Sequence, residues 1–428
     1  MQSTLTTSAR NETYLRILRE ELIPAFGCTE PIAVALCAAR CITVLDAPAE
    51  EVVIAVSGNI IKNAKSVIVP NTGGMRGIPA AAAAGIIAGD WTWGLEVLTH
   101  IDGQGAEQIR ALLEQIPFRL ELLETQEVLD IRITIRGGGH SACVRIAGHH
   151  NDVVLVQRDG QVLEDKQACL ADPVVRQAGR ELLTVADILE FAETVDVEEL
   201  RPILEPQLRN NLAIAEEGME KQYGANVGKV LLASDSSLHG KMKAYAAAAS
   251  DARMSGCEMP VVINSGSGNQ GITLAVPMAI AAREGAYPRE RVLRALAISN
   301  LLAVHIKTGI GCLSAYCGAA SAGCASACGI AYLEGGGLEE VSHTLVNGLA
   351  IISGMVCDGA KPSCAAKIAM ALEAGLMGYD MFKADQQFYG GDGIVSKGVE
   401  NTIRNIAYLG SAGMKETDAT ILSIMTNN

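Results

Sequence analysis

The run from Thr308 to Leu333 carries no charged residue and is long enough to cross a bilayer. It must therefore be either a membrane span or a segment buried on every side. Gly, Ala, Ser and Cys dominate it, a weakly apolar mixture that suits a tightly packed interior helix or a segment lining a site better than it suits lipid. The rest of the chain shares this bias: hydrophobic residues make up 49% but aromatics only 4%, so small side chains in close approach, not large rings, have to fill the core. At 428 residues the chain exceeds the roughly 250 to 300 residues at which a single core stops growing. Two domains, or one core with a large insertion, are expected.

Local patterns divide the chain. Glu12 to Leu22 has helical periodicity, the turn Pro24-Ala-Phe-Gly-Cys-Thr-Glu-Pro31 interrupts it, and Ile32 to Arg40 reads as a second, apolar helix. Cys28 thus falls in a turn near a helix N-terminus. Short β-branched runs follow at 51–56, 66–69, 128–135, 143–146 and 153–157, and Gly and Asn turns between the last three predict an antiparallel sheet. From Val185 onward helical, Ala-rich segments prevail, with one strand at Pro260 to Ile263. The expected fold is mixed α/β (α+β): N-terminal helices over 1–48, an inserted α/β lobe over 49–200 and a mainly helical lobe over 201–428. The acidic stretch from Asp196 to Glu205, with Pro202 and Pro206, is the expected boundary.

A formal net charge of −14 argues against nucleic acid and against an anionic membrane surface. A small-molecule enzyme, possibly a homo-oligomer, is the reading that remains. The polar N-terminus, Met1 to Arg19, lacks the apolar core of a signal peptide, so a cytoplasmic protein with reduced cysteines is expected. Twelve cysteines in a reducing compartment are core residues, metal ligands or catalytic thiols sooner than disulfides. Cys37, Cys41, Cys143, Cys169 and Cys257 stand in ordinary apolar surroundings and read as core, as do Cys324 and Cys328.

The sharpest pattern is Lys307-Thr-Gly-Ile-Gly-Cys312-Leu-Ser-Ala-Tyr-Cys317-Gly, followed by Gly354-Met-Val-Cys357-Asp-Gly-Ala-Lys361-Pro-Ser-Cys364. Two cysteines on a Gly/Pro turn, with a third from afar, can converge on one metal centre, and thiolates suit zinc or iron–sulfur clusters. The spacing matches neither zinc ribbons nor ferredoxins. Gly266-Ser-Gly268-Asn-Gln-Gly271 formally matches the dinucleotide fingerprint. A βαβ unit needs a second parallel strand after the following helix, yet Arg289 to Ile306 reads as another helix, so a substrate-contact loop with Asn269 and Gln270 as amide donors is preferred. Asn71-Thr72-Gly73-Gly74 precedes an Ala-rich segment, so its backbone N–H groups, with Arg76 nearby, are candidates to receive a carboxylate. Arg136-Gly-Gly-Gly-His140 and His149-His150 fall on a hairpin of the inserted lobe, and His140 reaches an active site only if that lobe folds over it.

These segments, together with the turn around Cys28 and the loop Asn71-Thr-Gly-Gly-Met-Arg-Gly77, resemble the L-cysteine desulfidase family and, more distantly, the α-domain of iron–sulfur L-serine dehydratases. The resemblance spans nearly the whole chain and likens the 201–428 lobe to the α-domain of the serine enzymes. It implies a [4Fe–4S] cluster held by Cys317, Cys357 and Cys364 with one iron open to substrate, and no pyridoxal phosphate; Cys312 remains an alternative ligand. It further implies elimination of sulfide from L-cysteine to give pyruvate, ammonia and hydrogen sulfide. Dehydration of L-serine or a related amino acid, and a non-enzymatic metal- or thiol-binding role, stay open. Cys28 is the first candidate for the acid/base group, because a turn near a helix N-terminus can lower a thiol pKa, and Lys307, His305 and His140 are alternatives. Lys361 joins Asn71 to Gly74, Arg76, Asn269 and Gln270 as a candidate substrate contact.

Overall fold

The computed structural model describes residues 7–168, 179–285, 287–311 and 313–426. Helix α1 (Thr7–Glu21) leads into strand β1 (Pro24–Phe26) and helix α2 (Thr29–Leu45). Strand β2 (Glu51–Val56), helices α3 (Gly58–Ala64), α4 (Gly77–Ala88) and α5 (Gly103–Gln115), and strands β3 (Phe118–Leu122), β4 (Asp130–Gly137), β5 (His140–Ala147), β6 (Val153–Arg158) and β7 (Gln161–Asp165) complete the strand-rich part. The remainder is helical: α6 (Val185–Thr194), α7 (Val197–Glu220), α8 (Val227–Ser234) and α9 (Leu238–Met254) precede β8 (Pro260–Val262). Then come α10 (Gly268–Gly285), α11 (Arg289–Ile310), α12 (Gly318–Leu333), α13 (Leu338–Ile352), α14 (Cys364–Lys383), α15 (Val399–Tyr408) and α16 (Lys415–Thr426). The mixed α/β class expected from the sequence is the one observed.

A six-stranded sheet runs in the order β3-β2-β4-β5-β6-β7, antiparallel throughout except for the parallel β2–β3 pair. Alternate β2 residues, Val52, Ile54 and Val56, are fully buried, the period-2 pattern of a strand with one covered face. Helix α2 lies over the sheet. Its Cys37 and Cys41 thiols donate to the carbonyls of Val144 and Ala142 at 3.3 Å, so both are buried structural residues, as read. Behind α2, helix α4 approaches so closely that a Cβ on Gly85 would stand 2.0 Å from the Ala35 carbonyl oxygen.

The uncharged 308–333 run is divided. Helix α11 ends at Ile310 and α12 starts at Gly318, with every residue from Ala319 to Leu333 buried among neighbouring helices. Close approach depends on absent side chains: Gly323 faces the Ala371 backbone, and Gly375 faces the Gly323 carbonyl oxygen. Among the described residues no helix is long and apolar enough to cross a membrane.

A small two-stranded ladder positions the site. Strand β1 pairs antiparallel with β8, Pro24 opposite Val262 and Phe26 opposite Pro260, and Ile263 N–H donates to the Ile23 carbonyl at 3.0 Å. The Cys28 turn is thereby tied to the 264–267 loop, over two hundred residues away in sequence. Asn211 of α7 clamps the ladder by exchanging two hydrogen bonds with Val262. Among the described residues strand β8 has no other strand partner, and no parallel βαβ unit follows the Gly266–Gly271 motif there.

Several expectations are revised. Residues 66–69 form no strand; Ile68 makes a single bridge to Arg76, closing the 69–76 loop on itself. Strands β3 and β7 are additional, both mostly solvent-facing. The stretch expected as a boundary is the start of α7, a 24-residue helix running through Pro202 and Pro206, held by burial of Leu200, Leu204 and Leu208. Cys169 lies outside the described residues.

Candidate active site

Asn63 of α3 and four further parts of the chain meet at one cavity of about 100 Å³. The first is Cys28, the N-cap of α2, in extended geometry after Gly27 at φ +85°. The second joins Arg253 of α9 to the 265–270 turn opening α10. The third supplies Lys307, near the end of α11, and Leu313, Ser314, Tyr316 and Cys317, the last being the N-cap of α12. The fourth contains Cys357 and Cys364, the latter the first residue of α14.

Backbone pairing brings the third and fourth parts together. Tyr316 bridges Val356 in antiparallel fashion, Cys317 N–H donates to the Met355 carbonyl at 3.0 Å, and Cys357 N–H donates to Ala315 at 2.6 Å. This register places the Cys317 and Cys357 thiols side by side. Past Cys357 the chain turns at Gly359, whose φ of +93° and whose approach to the Lys62 carbonyl oxygen (2.4 Å from a built Cβ) both require glycine. The turn delivers Cys364 to the same cavity, where it packs with Ala360 against the buried cluster of Cys28, Val67 and Met254.

The starts of α2, α10, α12 and α14 border this cavity. Helix N-termini carry unpartnered N–H groups and partial positive charge, favouring thiolates and other anions. Cations add to this: Lys307 and Lys367 line the cavity, and buried Lys62, ion-paired with Asp418, is close enough to act on Cys357. Donation by the Cys317 thiol, followed by the fields of Lys62 and Lys307, lowers the Cys357 pKa against burial, while the same contact raises Cys317. Burial also pushes Cys364 up. Cys28 departs from the sequence expectation: burial outweighs Arg253 and lifts it to about 11, so in this structure it is a thiol and not an activated thiolate.

The candidate residues separate clearly. Lys307, Asn269 and Gln270 border the cavity with the four cysteines. Lys361 instead pairs with Asp358 and the Gly359 carbonyl. Asn71 donates to the carbonyls of Leu98 and Thr99, Thr72 is fully buried with its hydroxyl on Val69, Gly73 and Gly74 shape the turn with positive φ, and Arg76 donates to Ser66. This loop does not border the cavity. His140 sits exposed at a hairpin end, 2.8 Å from Asp159, and His305 pairs with Glu400 at 2.7 Å; neither borders the cavity. Cys324 and Cys328 are fully buried core, and Cys312 lies outside the described residues.

Among residues not singled out from the sequence, Glu30, Asn63, Arg253 and Lys367 stand at the cavity. Glu30 is contiguous with the Cys28 turn and Arg253 is a charge at the end of an Ala-rich helix, but only the β1–β8 ladder makes them neighbours.

Among the described residues no three His, Cys, Asp or Glu side chains close on a single metal ion. In a four-iron cluster, however, each thiolate binds its own iron, so ligands surround a volume instead of a point. Three thiols at one cavity with all-sulfur donors, bordered by helix N-termini and lysines, fit a cluster of that kind.

Residues 94–423 match the family described as serine dehydratase alpha chain. The chain is also similar over nearly its full length to UPF0597 proteins. That of Desulfitobacterium hafniense is 52% identical over 417 residues, covering 97% of each chain. That of Treponema denticola is 44% identical over 423 residues, 97% of this chain and 98% of the relative. That of Fusobacterium nucleatum is 38% identical over 421 residues, 97% and 99%.

Proposed function

This chain belongs to the serine dehydratase alpha chain family, and from that premise we propose that it is an iron–sulfur lyase removing a β-substituent from a small amino acid, L-cysteine first. The observation that carries the reading is the meeting of Cys317, Cys357 and Cys364 with Cys28 and Lys307 at one cavity. A cluster bound there supplies a Lewis acid that neutralises negative charge on the departing sulfide or hydroxide.

The chain's own residues do the rest. Cys317, Cys357 and Cys364 are the assigned ligands, with Lys62 and Lys307 balancing thiolate charge. The small cavity excludes bulk water and holds the reacting groups close. Cys28 Sγ is assigned to proton transfer. Held as a thiol by burial, it passes its proton to the departing sulfide or hydroxide, and the thiolate so formed, stabilised by Arg253, whose Nη2 donates to the Gly27 carbonyl at 3.0 Å, takes up the Cα proton. Lys307, 5% exposed, is the second proton-transfer candidate. The enamine product tautomerises and hydrolyses to pyruvate and ammonia in water.

The family description favours L-serine as the second reading, whereas the short interval between Cys357 and Cys364 favours L-cysteine. The test is anaerobic reconstitution with iron and sulfide, followed by pyruvate release from L-cysteine and from L-serine at equal concentration. A visible iron–sulfur absorption band with faster release from L-cysteine is expected. Faster release from L-serine selects the dehydratase, and a reconstituted protein producing no pyruvate from either overturns the lyase reading.

A further inference from the structure

Glu30 is the single carboxylate bordering the thiol cavity among the described residues. Its position is fixed: the Thr29 hydroxyl donates to Oε2 at 3.1 Å and Asn63 Nδ2 to Oε1 at 3.2 Å. Burial opposes its charge, but His150 and Arg253 prevail and keep it below the usual carboxylate range. Two further acceptors there, Asn63 Oδ1 and Gln270 Oε1, are buried without a hydrogen-bond partner; Gln270 is 3% exposed.

Across the cavity Arg253, 5% exposed, is also fixed. Nη1 donates to Asn269 Oδ1 at 3.2 Å and Nη2 to Gly27, while Nε has no partner. Glu30 faces His150, whose Nε2 is 3.9 Å from Oε1, and not Arg253, which has no carboxylate partner among the described residues. Buried opposite charges left apart are costly, and such groups gather where a ligand completes them.

We propose that Glu30 and Arg253 form a frame for the zwitterionic end of an α-amino acid, with Glu30, Asn63 and Gln270 receiving the ammonium group and Arg253 the carboxylate. Three acceptors match three ammonium N–H bonds, and a guanidinium matches a carboxylate. Cys28 lines the same cavity as both: it follows Gly27, whose carbonyl holds Arg253, and stands two residues before Glu30. The frame therefore sets Cα, with its proton, beside Cys28 Sγ. The inference rests on the lyase reading for its substrate class.

Titration calorimetry on the anaerobically reconstituted protein tests it with three ligands that lack a β-leaving group. L-alanine keeps both charged groups, L-lactate replaces the ammonium with hydroxyl, and L-alaninamide lacks the carboxylate. L-alanine is expected to bind at least ~100-fold more tightly than either, since buried polar groups reject analogues that leave them unpaired. Glu30→Gln should erase the preference over lactate and Arg253→Gln the preference over alaninamide, both at unchanged iron content. Equal binding of the three ligands by the unaltered protein, or no L-alanine binding, overturns the frame even if the variants misfold. Wild-type selectivity in iron-loaded variants overturns it too. Selective L-alanine binding without pyruvate formation upholds the frame and removes the lyase reading instead; pyruvate formation with unselective binding removes the frame alone.

Discussion

Cys317, Cys364 and Cys28 sit at the first turn or N-cap of their helices, where N–H groups have no intrahelical partner, whereas Cys37, Cys41, Cys324 and Cys328 lie within helices, enclosed by neighbours. Position alone thus separates thiols that can meet a ligand from thiols that only pack. Cys317→Ala, Cys357→Ala and Cys364→Ala should each abolish cluster retention after anaerobic reconstitution, while Cys324→Ala should keep it; equal iron in all four removes the ligand assignment. Cys28→Ser should keep iron and the visible spectrum but lower kcat by roughly 100-fold, the scale of a lost acid/base group. Loss of the cluster would make Cys28 a ligand. Full activity would move proton transfer to Lys307, which borders the cavity, and not to His140 or His305, which do not.

Elements carry those residues to the site, and one demanding contact among them is that of α2 with α4. Helix α2 bears Cys28 at its start, and Gly85 of α4 leaves no room for a side chain against Ala35. Gly85→Val should destabilise by ~1–3 kcal/mol through overpacking and should reduce kcat of the surviving folded fraction by tilting α2. Gly103→Ala, at the start of α5 with nothing within 4 Å, should leave both unchanged. Thermal melting and kcat per folded molecule decide; a silent Gly85→Val would show that α2 is positioned by the sheet alone.

Much of this scale was legible in the sequence. β2, β5 and β6 declare themselves by β-branched residues, and α12 by its uncharged run of small residues. Strands β3 and β7 face solvent over most of their length; β7 lacks apolar alternation, and β3 alternates over only five residues with Leu120 and Leu122 exposed. Residues 66–69 have strand composition without a strand partner, and α7 overrides two prolines through burial of its leucines. At the site, the cysteines were legible because thiolate chemistry is rare and recognisable. Glu30 and Arg253 were not, since nothing in the sequence reports that β1 pairs with β8.

For the whole molecule, the consequence is that a ligand bound by Cys317, Cys357 and Cys364 joins segments already linked by the Tyr316–Val356 bridge and lies against the Cys28 turn and the start of α10. Activity should be lost in air and recovered with ferrous iron and reductant, as for an accessible cluster; indifference to oxygen and chelators would contradict one. Because the folded chain presents the three thiols together and the unfolded chain does not, binding favours the folded state. Anaerobic reconstitution should therefore raise the melting temperature above that of the iron-free protein.

Hydrogen exchange locates this stabilisation. If the three cysteines act as one set, amides across 313–318 and 355–366 gain protection together on loading, and those of 26–30 gain it with them because Cys364 packs against the cluster that contains Cys28. The exposed β7 strand, remote from the cavity lining, should not change. Protection confined to 355–366 would mean that the Cys357–Cys364 turn binds metal without Cys317. Protection at 313–318 and 355–366 without 26–30 would keep the ligand set and detach Cys28 from the reacting centre, so a single exchange experiment separates the two assignments on which the chemistry rests.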